Sequence, residues 1–374
     1  MNDDRTSENA ARRFGQWVRE AALPLWSTAG ADPLYGFVER LGFDGEAAPT
    51  GYLRCRLLAR QIAVFAQASR CFGNEQYAVA ADHGWQVLKA RFWMPGLGWR
   101  DRVLLGQASG EPVLNLYDQA FALYASAWRA SVFADEEALS LALATLECID
   151  SHLRLSGGRG WVTTAGDDLR DQNGHMHYLE ALLELYSLRP LDEVAERIDE
   201  ILDVLDRHLV DPASGAVTEY FGSNWRTVDP ATVEPGHQYE WAWLLDRAKS
   251  AGFAFESSPD RMRDFADRYG WDRERGLIYD SLSVAGGVVG GGFRLWPHCE
   301  ALKAMSISKR PEDTDRIAAL VDSLFTHFLQ PEDSGLWTDR RDSALVPLVD
   351  YVPTSSLYHL WEAYRALSKR WPDP

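Results

Sequence analysis

The sequence has few cysteines, and their spacing argues against the common cysteine-based metal sites. Cys55, Cys71, Cys148 and Cys299 are the four cysteines among 374 residues. No two of them form a C-x-x-C pair, and no cysteine and histidine stand at a spacing that suits zinc. We therefore predict reduced, buried thiols.

Positive charge and long apolar runs are also scarce. The chain has 38 Lys and Arg against 55 Asp and Glu, a formal net charge of -17 that repels nucleic-acid phosphates and anionic membranes. The opening residues MNDDRTSENAARRFGQW are charged where a secretory signal is apolar, and no uncharged stretch approaches the roughly 20 residues of a membrane span. We expect a cytoplasmic protein without a nucleic-acid or membrane partner, as a monomer or homodimer.

The chain instead has helical periodicity along most of its length. Hydrophobic residues make up 46% and charged residues 25%, which is typical of an ordered globular protein. Alternating, strand-like runs are few and short, so the predicted fold class is all-α. The predicted helices are 7–27, 53–70, 75–92, 116–131, 135–153, 175–188, 191–209, 238–250, 259–270, 296–306, 312–329 and 355–369.

Polar landmarks near the start of every second helix recur at a nearly constant interval. They are Arg60, Asp118, His177, His237, Trp296 and His359, with separations of 58, 59, 60, 59 and 63 residues. Two helices and two connections fill about 60 residues, so each repeat is an αα-hairpin. Convergence of the landmarks on one rim favours a closed ring over an open solenoid. We predict an (α/α)6 barrel of six hairpins, with residues 1–374 as a single domain.

The first two motifs contain an arginine and a tyrosine in unusual positions. Arg60 lies on the apolar stripe of Leu57 and Val64, so it must be paired or must face a polar cavity. A structural arginine between helices is the alternative. Tyr117 and Asp118 stand at a helix start, where they could reach a hydroxyl of a ligand or serve in core packing and capping.

The third motif, DQNGHMHYLEALLELY, presents several polar groups near the start of a helix. Asn173 and His177 are four residues apart and share a helix face, which favours a role in orienting a ligand over capping. His175, His177 and Glu180 together could instead bind a metal. No second cluster rich in carboxylates accompanies them, so we predict no metal site.

The last three motifs contain further candidates. His237, Glu240 and Trp241 follow a Pro-Gly turn at i, i+3 and i+4, so an imidazole, a carboxylate and an indole share one face. Trp296 and Glu300 form an i, i+4 pair, and His359 stands near the start of the last helix. Helix starts favour neutral imidazole, the form that abstracts a proton at pH 7.

The glycine-rich segment VAGGVVGGG before Trp296 is open to two interpretations. It lacks the strand–glycine–helix pattern of phosphate-binding loops, so a nucleotide site is not expected. We interpret residues 285–292 as a mobile rim loop.

Six segments together resemble the N-acylglucosamine 2-epimerase superfamily, which includes cellobiose 2-epimerases, mannose isomerases and sulfoquinovose isomerases. They are RLLARQIAVFAQA, LYDQAFALYA, NGHMHYLEALLELY, PGHQYEWAWLL, RLWPHCEALKA and SSLYHLWEAY. The resemblance covers essentially the whole chain. It implies an (α/α)6 barrel with two essential histidines, which match His237 and His359.

The resemblance also implies a set of substrate-binding residues. Relatives commonly have Gln in place of His298, which puts the sugar contacts of the fifth motif in doubt. The implied substrate contacts, with Tyr117 added from its position in the second motif, are Arg60, Tyr117, Asn173, His177, Glu240, Trp296 and Glu300.

The chemistry expected from this resemblance is proton transfer on a monosaccharide, without metal or other cofactor. After ring opening, a histidine removes the C2 proton to give an enediol(ate), and the proton returns to C1 or to the other face of C2. We expect an aldose–ketose isomerase acting on unphosphorylated D-mannose and D-fructose, with His359 at C2. A sugar 2-epimerase of the mannose/glucose, N-acylglucosamine or cellobiose type is the alternative.

Two more distant interpretations remain. A glycoside or unsaturated-uronyl hydrolase uses a carboxylate pair on such a barrel, and Asp118, Glu240 and Glu300 could supply one. A non-enzymatic carbohydrate-binding protein would use the 15 tryptophans for stacking on sugars, but it would have no clear use for two histidines at helix starts.

Overall fold

Twelve helical runs follow one another along the part of the chain that the structure describes, as predicted. The computed structural model describes residues 2–329 and 331–372. Within them, a π-helical turn at Val18–Ala22 joins the first two helices, and another at Leu205–Leu209 extends the eighth. The helices are α1 (Asn2–Trp17), α2 (Leu23–Thr28), α3 (Cys55–Phe72), α4 (Glu75–Phe92), α5 (Leu116–Phe133), α6 (Glu136–His152), α7 (Gln172–Leu188), α8 (Asp192–Val204), α9 (Pro235–Ser250), α10 (Pro259–Tyr269), α11 (Leu295–Ser306), α12 (Glu312–His327) and α13 (Leu357–Arg370).

Six of these helices form a closed inner ring. Each of α3, α5, α7, α9, α11 and α13 packs against the next, and α13 packs against α3. The helices α4, α6, α8, α10 and α12 lie outside, each against the inner helix that precedes it. Helix α1 packs against α12 and α13, so the two ends of the chain form the sixth hairpin. The predicted (α/α)6 barrel is confirmed.

Burial explains which helices are inner and which are outer. The inner helix α5 buries fourteen of its eighteen residues, because it contacts two ring neighbours and its own outer partner. The outer helix α8, DEVAERIDEILDV, buries mainly one stripe that includes Val194, Ile198 and Ile201. The remaining face of α8 is charged and faces solvent.

Short strands occupy the connections, which the sequence did not predict. They are β1 (Ala31–Asp32), β2 (Gly36–Phe37), β3 (Arg40–Gly42), β4 (Tyr52–Arg54), β5 (Trp93–Met94), β6 (Gly98–Trp99), β7 (Arg102–Leu104), β8 (Arg170–Asp171), β9 (Tyr220–Phe221), β10 (Thr232–Val233), β11 (Trp271–Asp272), β12 (Leu277–Ser283), β13 (Val288–Arg294), β14 (Arg340–Arg341) and β15 (Tyr351–Pro353). All the pairings between them are antiparallel.

Many of these pairings link the segment before one inner helix to the segment before the next. The pairs β4–β7, β8–β9, β10–β12, β13–β14 and β15–β3 make five of the six links. An isolated bridge between Asn115 and Thr164 makes the remaining link, between the segments before α5 and α7. A ring of strand pairs therefore surrounds the end of the barrel at which the inner helices begin.

Two smaller predictions need correction. Residues 288–292 of the glycine-rich segment lie in β13, which pairs with β12 as a hairpin with a register shift between Tyr279 and Ser281. The loop is therefore limited to the turn that contains residues 285–287. Cys55, Cys148 and Cys299 are buried as predicted, whereas Cys71 is exposed. In the described part of the chain, no helix combines the length and apolar character needed to cross a bilayer.

Candidate active site

A polar cavity of about 310 Å³ lies inside the ring, at the end where the inner helices begin. Every inner helix contributes at least one side chain to it. Eight of the nine predicted site residues line the cavity: Arg60, Tyr117, Asn173, His177, His237, Glu240, Trp296 and His359. The connections add Glu219, Tyr220, Glu234, Arg294, Asp339, Arg340, Ser355 and Ser356.

A larger cavity, of about 790 Å³, opens at the opposite end of the barrel. Two of its guanidinium groups are already engaged, since Arg247 Nη2 lies 3.1 Å from Glu184 and Arg365 Nη1 lies 2.9 Å from Glu362. No histidine of the described chain lines this cavity. The smaller cavity is therefore the candidate active site.

His359 is held by a carboxylate that lies behind it. The Nδ1 atom of His359 is 2.7 Å from Oε1 of Glu300, so an ionised Glu300 accepts the Nδ1 proton and leaves Nε2 as the basic atom. Burial lowers the pKa of His359 well below its usual value, and the positive charges of Arg60 and Lys303 lower it further. His359 is therefore neutral at pH 7.

His237 has the opposite electrostatic setting. Its Nδ1 atom lies 3.0 Å from Oε2 of Glu219 and 3.7 Å from Oε2 of Glu234. Burial favours the neutral form, but the two carboxylates outweigh it and raise the pKa of His237 to about 9. The expectation that both helix-start histidines are neutral is wrong for His237, because these carboxylates raise its pKa.

Trp296 contacts both imidazoles. Its ring centroid is 4.8 Å from that of His237 and 5.6 Å from that of His359. The guanidinium of Arg294 stands 5.2 Å over the indole and pairs with Glu234 and Asp280. The indole therefore forms the part of the cavity wall that lies beside both histidines.

Arg60 faces the cavity without a carboxylate partner in the described part of the chain. Its guanidinium lies 4.1 Å above the ring of Phe121, and Nη2 donates to the hydroxyl of Tyr117 at 2.5 Å. A cation held by aromatic rings and a phenol keeps its charge available for a ligand. This placement meets the requirement that Arg60 face a polar cavity.

Two acceptor groups of the cavity lack a hydrogen-bond partner among the described residues. They are the side-chain oxygen of Asn173 and both carboxylate oxygens of Glu240. Burial raises the pKa of Glu240 well above its usual value, and the nearby Glu300 raises it further. Buried polar atoms rarely stay unpaired, so these groups are suited to hydroxyls of a bound ligand.

The alternative metal-binding set of His175, His177 and Glu180 is not assembled. His175 is fully buried away from the cavity, where Nδ1 contacts the carbonyl of Asp171 at 2.7 Å and Nε2 accepts from the backbone N–H of Trp161 at 3.2 Å. His177, Glu180 and Glu240 do lie close enough to share an ion. Glu180, however, already accepts from His177 and from the hydroxyl of Tyr358.

Two predicted residues lie elsewhere. Glu300 does not line the cavity but lies fully buried behind His359. Asp118 also faces away, because its carboxylate accepts from the backbone N–H of Arg56 at 3.0 Å and from Asn115 at 2.6 Å. Its neighbour Tyr117 lines the cavity instead.

Comparison with known proteins agrees with this architecture. The family model for N-acylglucosamine 2-epimerase (GlcNAc 2-epimerase) matches residues 36–363. The chain belongs to this family. It is 30% identical to a protein named mannose-6-phosphate isomerase from Rhizobium meliloti (strain 1021), with 94% of each chain covered.

Two solved structures have a similar fold. The cellobiose 2-epimerase from Spirochaeta thermophila DSM 6192 has a TM-score of 0.87 at 20% identity, covering 98% of this chain and 97% of that one. The crystal structure of a D-mannose isomerase has a TM-score of 0.84 at 20% identity, with 97% of each chain covered. As a member of the N-acylglucosamine 2-epimerase family, this chain is an enzyme of the isomerase and epimerase class.

His298, which the resemblance left in doubt as a sugar contact, is held by backbone groups. It is fully buried, its Nε2 accepts from the backbone N–H of Ile278 at 3.0 Å, and its Nδ1 contacts the carbonyl of Arg294 at 2.8 Å. Burial lowers the pKa of His298 to about 3. It does not line the cavity.

Sequence reasoning missed several members of this site. Glu234 had a detectable signal, because it precedes the Pro-Gly turn and stands three residues before His237. Glu219 had none, since it lies in a connection 18 residues from His237. Lys303 stands one turn after Glu300, but its closeness to Glu240 depends on how α9 and α11 pack.

Proposed function

We propose that this enzyme interconverts an unphosphorylated aldose and its ketose, D-mannose and D-fructose, by general acid–base catalysis. The observation that supports the proposal is a pair of histidines in one cavity whose pKa values are displaced in opposite directions. Such a pair supplies a base and an acid at the same pH. In this proposal His359 is the base and His237 is the acid.

The steps follow from these protonation states. After the ring opens to the aldehyde, Nε2 of His359 removes the C2 proton while His237 donates a proton to O1, which gives the enediol. His359 then returns its proton to C1, and the O2 proton passes to His237, so that the ketose forms and both histidines are regenerated. Each histidine contributes about 10²–10⁴-fold to the rate.

Other cavity residues support this chemistry in distinct ways. The guanidinium of Arg60 stabilises the negative charge that develops on the carbonyl oxygen. Asn173 and Glu240, whose oxygens lack partners among the described residues, bind sugar hydroxyls. Trp296 presents an apolar face for the C–H surface of the sugar between the two histidines.

A neutral substrate fits the charge of the cavity better than a phosphorylated one. Arg294 is paired with two carboxylates, and Arg60 is needed at the reacting centre. Arg340 lies at the cavity with half of its side chain exposed, 3.6 Å from Asp339. The name of the Rhizobium relative favours mannose 6-phosphate as a second candidate, in which case Arg340 would bind the phosphate.

The 2-epimerase alternative uses the same residues. If His237 donates its proton to the opposite face of C2 instead of to an oxygen, the product is the epimeric aldose. The two outcomes differ in how the enediol is held between His359 and His237. The product therefore has to be measured.

The deciding experiment is incubation with D-mannose in deuterated water, with fructose and glucose separated by chromatography and the label located by NMR. Early fructose with deuterium at C1 supports the proposal. Glucose as the first product rejects it in favour of a 2-epimerase.

Parallel incubations with mannose 6-phosphate, N-acetylglucosamine and cellobiose test the other substrates, and monosaccharide released from cellobiose would indicate a hydrolase. The same incubations repeated in the presence of a chelator test whether the enzyme requires a metal ion.

A further inference from the structure

Lys303 is a fully buried lysine just below the active-site cavity. It lies on α11, and its Nζ atom is 2.5 Å from Oε2 of Glu300 and 3.9 Å from Oε1 of Glu240. The ammonium also stands 4.2 Å over the ring of Trp243. Burying an ammonium is costly unless it is paired, so a lysine here requires its carboxylate neighbours.

Lys303 and His359 bind opposite oxygens of the same carboxylate. Oε2 of Glu300 faces the ammonium at 2.5 Å, and Oε1 faces Nδ1 of His359 at 2.7 Å. Neither Lys303 nor Glu300 lines the cavity. A substrate in the cavity therefore touches His359 but does not touch the two groups behind it.

We propose that Lys303 is a positioning residue for the catalytic base, acting by keeping Glu300 ionised so that it accepts the Nδ1 proton of His359. This inference rests on the proposed role of His359. With Nδ1 protonated, Nε2 of His359 has a free lone pair towards the cavity. If Glu300 were neutral it would donate to Nδ1 instead, the ring proton would move to Nε2, and His359 could not act as a base.

The charges around Glu300 show why a cation is needed. Glu180 on α7 and Glu240 on α9 both face the interior near it. The ammonium of Lys303 opposes their negative charge, with smaller contributions from the imidazoles of His177 and His237. Burial and Glu180 raise the pKa of Glu300, whereas the ammonium lowers it. Removal of the ammonium therefore favours the neutral acid.

Most of the charged groups that face His359 oppose its protonation, as Lys303 does. Arg60 on α3 and His177 on α7 oppose its protonation, Glu180 favours it, and Lys303 on α11 opposes it. The ammonium itself faces Glu362 on α13 in addition to the three glutamates already named. Without Lys303, the Glu300–His359 pair binds a proton more tightly. As pH falls, the active form, with Glu300 ionised and His359 neutral, is then lost at a higher pH than in the wild type.

The test compares Lys303→Met, Lys303→Arg and, as a matched control, Lys249→Met at an exposed lysine. We expect Lys303→Met to lower kcat at pH 7 at least about tenfold and to move the acidic limb of the kcat profile to higher pH, with KM little changed. Lys303→Arg should keep the limb near its original position. An unmoved limb in Lys303→Met would overturn the proposal.

A second measurement does not depend on turnover or on the stability of the variant. ¹⁵N NMR of the wild-type enzyme labelled at histidine, with His359 assigned by comparison with His359→Ala, reports which ring nitrogen carries the proton. We expect Nδ1–H at pH 7, and Nε2–H would overturn the proposal. If Nδ1–H is found but no sugar is converted, the proposed function fails while the inferred tautomer of His359 stands.

Discussion

Among single residues, His237 and His359 differ in how their carboxylate neighbours are themselves neutralised. Glu300, beside His359, is paired with the ammonium of Lys303, so little negative charge remains to stabilise an imidazolium. Glu219, beside His237, has no basic side chain within ion-pair distance in the described chain other than that histidine. The same side chain is therefore suited to accept a proton at one position and to donate one at the other.

Removing either histidine should abolish most activity without unfolding the protein. We expect His359→Ala and His237→Ala each to lower kcat by about 10²–10⁴-fold, the usual contribution of a general base or acid. Circular dichroism and the melting temperature should stay close to the wild type. His83→Ala is the control, because His83 lies on the outer helix α4 and its side chain bonds the carbonyl of Asp32. Near-normal turnover by His359→Ala would show that this histidine is not the base.

The pH profile should have an alkaline limb set by His237. Its pKa is raised to about 9, so the acid form is present below that pH and is lost as pH rises through about 9. The pKa of His359 is lowered, so the acidic limb should lie well below pH 6.5. Glu219→Gln should move the alkaline limb to lower pH. Glu111→Gln, at an exposed position, should leave both limbs in place, and an unmoved limb in Glu219→Gln would contradict this assignment.

Among the helices, four inner ones share a clamp just after their first turn. Gln119 on α5 and Gln238 on α9 each bind both backbone groups of one residue in the preceding connection, Trp99 and Val217 respectively. On α7 and α11 a histidine takes this place: Nε2 of His175 and of His298 accepts one backbone N–H. Each clamp fixes a connection against the helix start that supplies site residues.

This equivalence predicts that glutamine can replace His298. We expect His298→Gln to keep the melting temperature and kcat near wild type, because the side-chain oxygen of the glutamine can accept a hydrogen bond from the backbone N–H of Ile278. His298→Ala should lower the free energy of unfolding by about 1–3 kcal/mol, since that buried N–H loses its partner. Chemical denaturation of the two variants, with His327→Ala at a half-buried position as control, measures the difference. Equal losses in His298→Gln and His298→Ala would refute the clamp.

At the scale of the whole molecule, the features that the sequence predicted are those that depend on helical spacing. The features that it missed depend on contacts between the connections of different hairpins. The interval of about 60 residues located five cavity residues, because each hairpin repeats the same geometry. At the second motif this interval indicated Asp118 in place of Tyr117. Adjacent residues point about 100° apart around the helix axis, and the contact between Asp118 and Arg56 cannot be recognised in the sequence. The rim strands are two or three residues long in most cases, too short for a period of two to be recognised.

The closure of the barrel by its two chain ends leads to a last prediction. Phe14 on α1 is fully buried and stacks on Trp17, where α1 packs against α12 and α13. Phe14→Ala should lower the free energy of unfolding by about 3–5 kcal/mol, as expected for loss of a buried phenylalanine. Phe43→Ala, at a ring that is 43% exposed, should change it by no more than about 0.5 kcal/mol. Thermal and denaturant unfolding measure the stability of both variants.

Below the unfolding transition, kcat of Phe14→Ala should be unchanged, because α1 contributes no cavity residue. If Phe14→Ala were no less stable than Phe43→Ala, α1 would not be needed to close the ring.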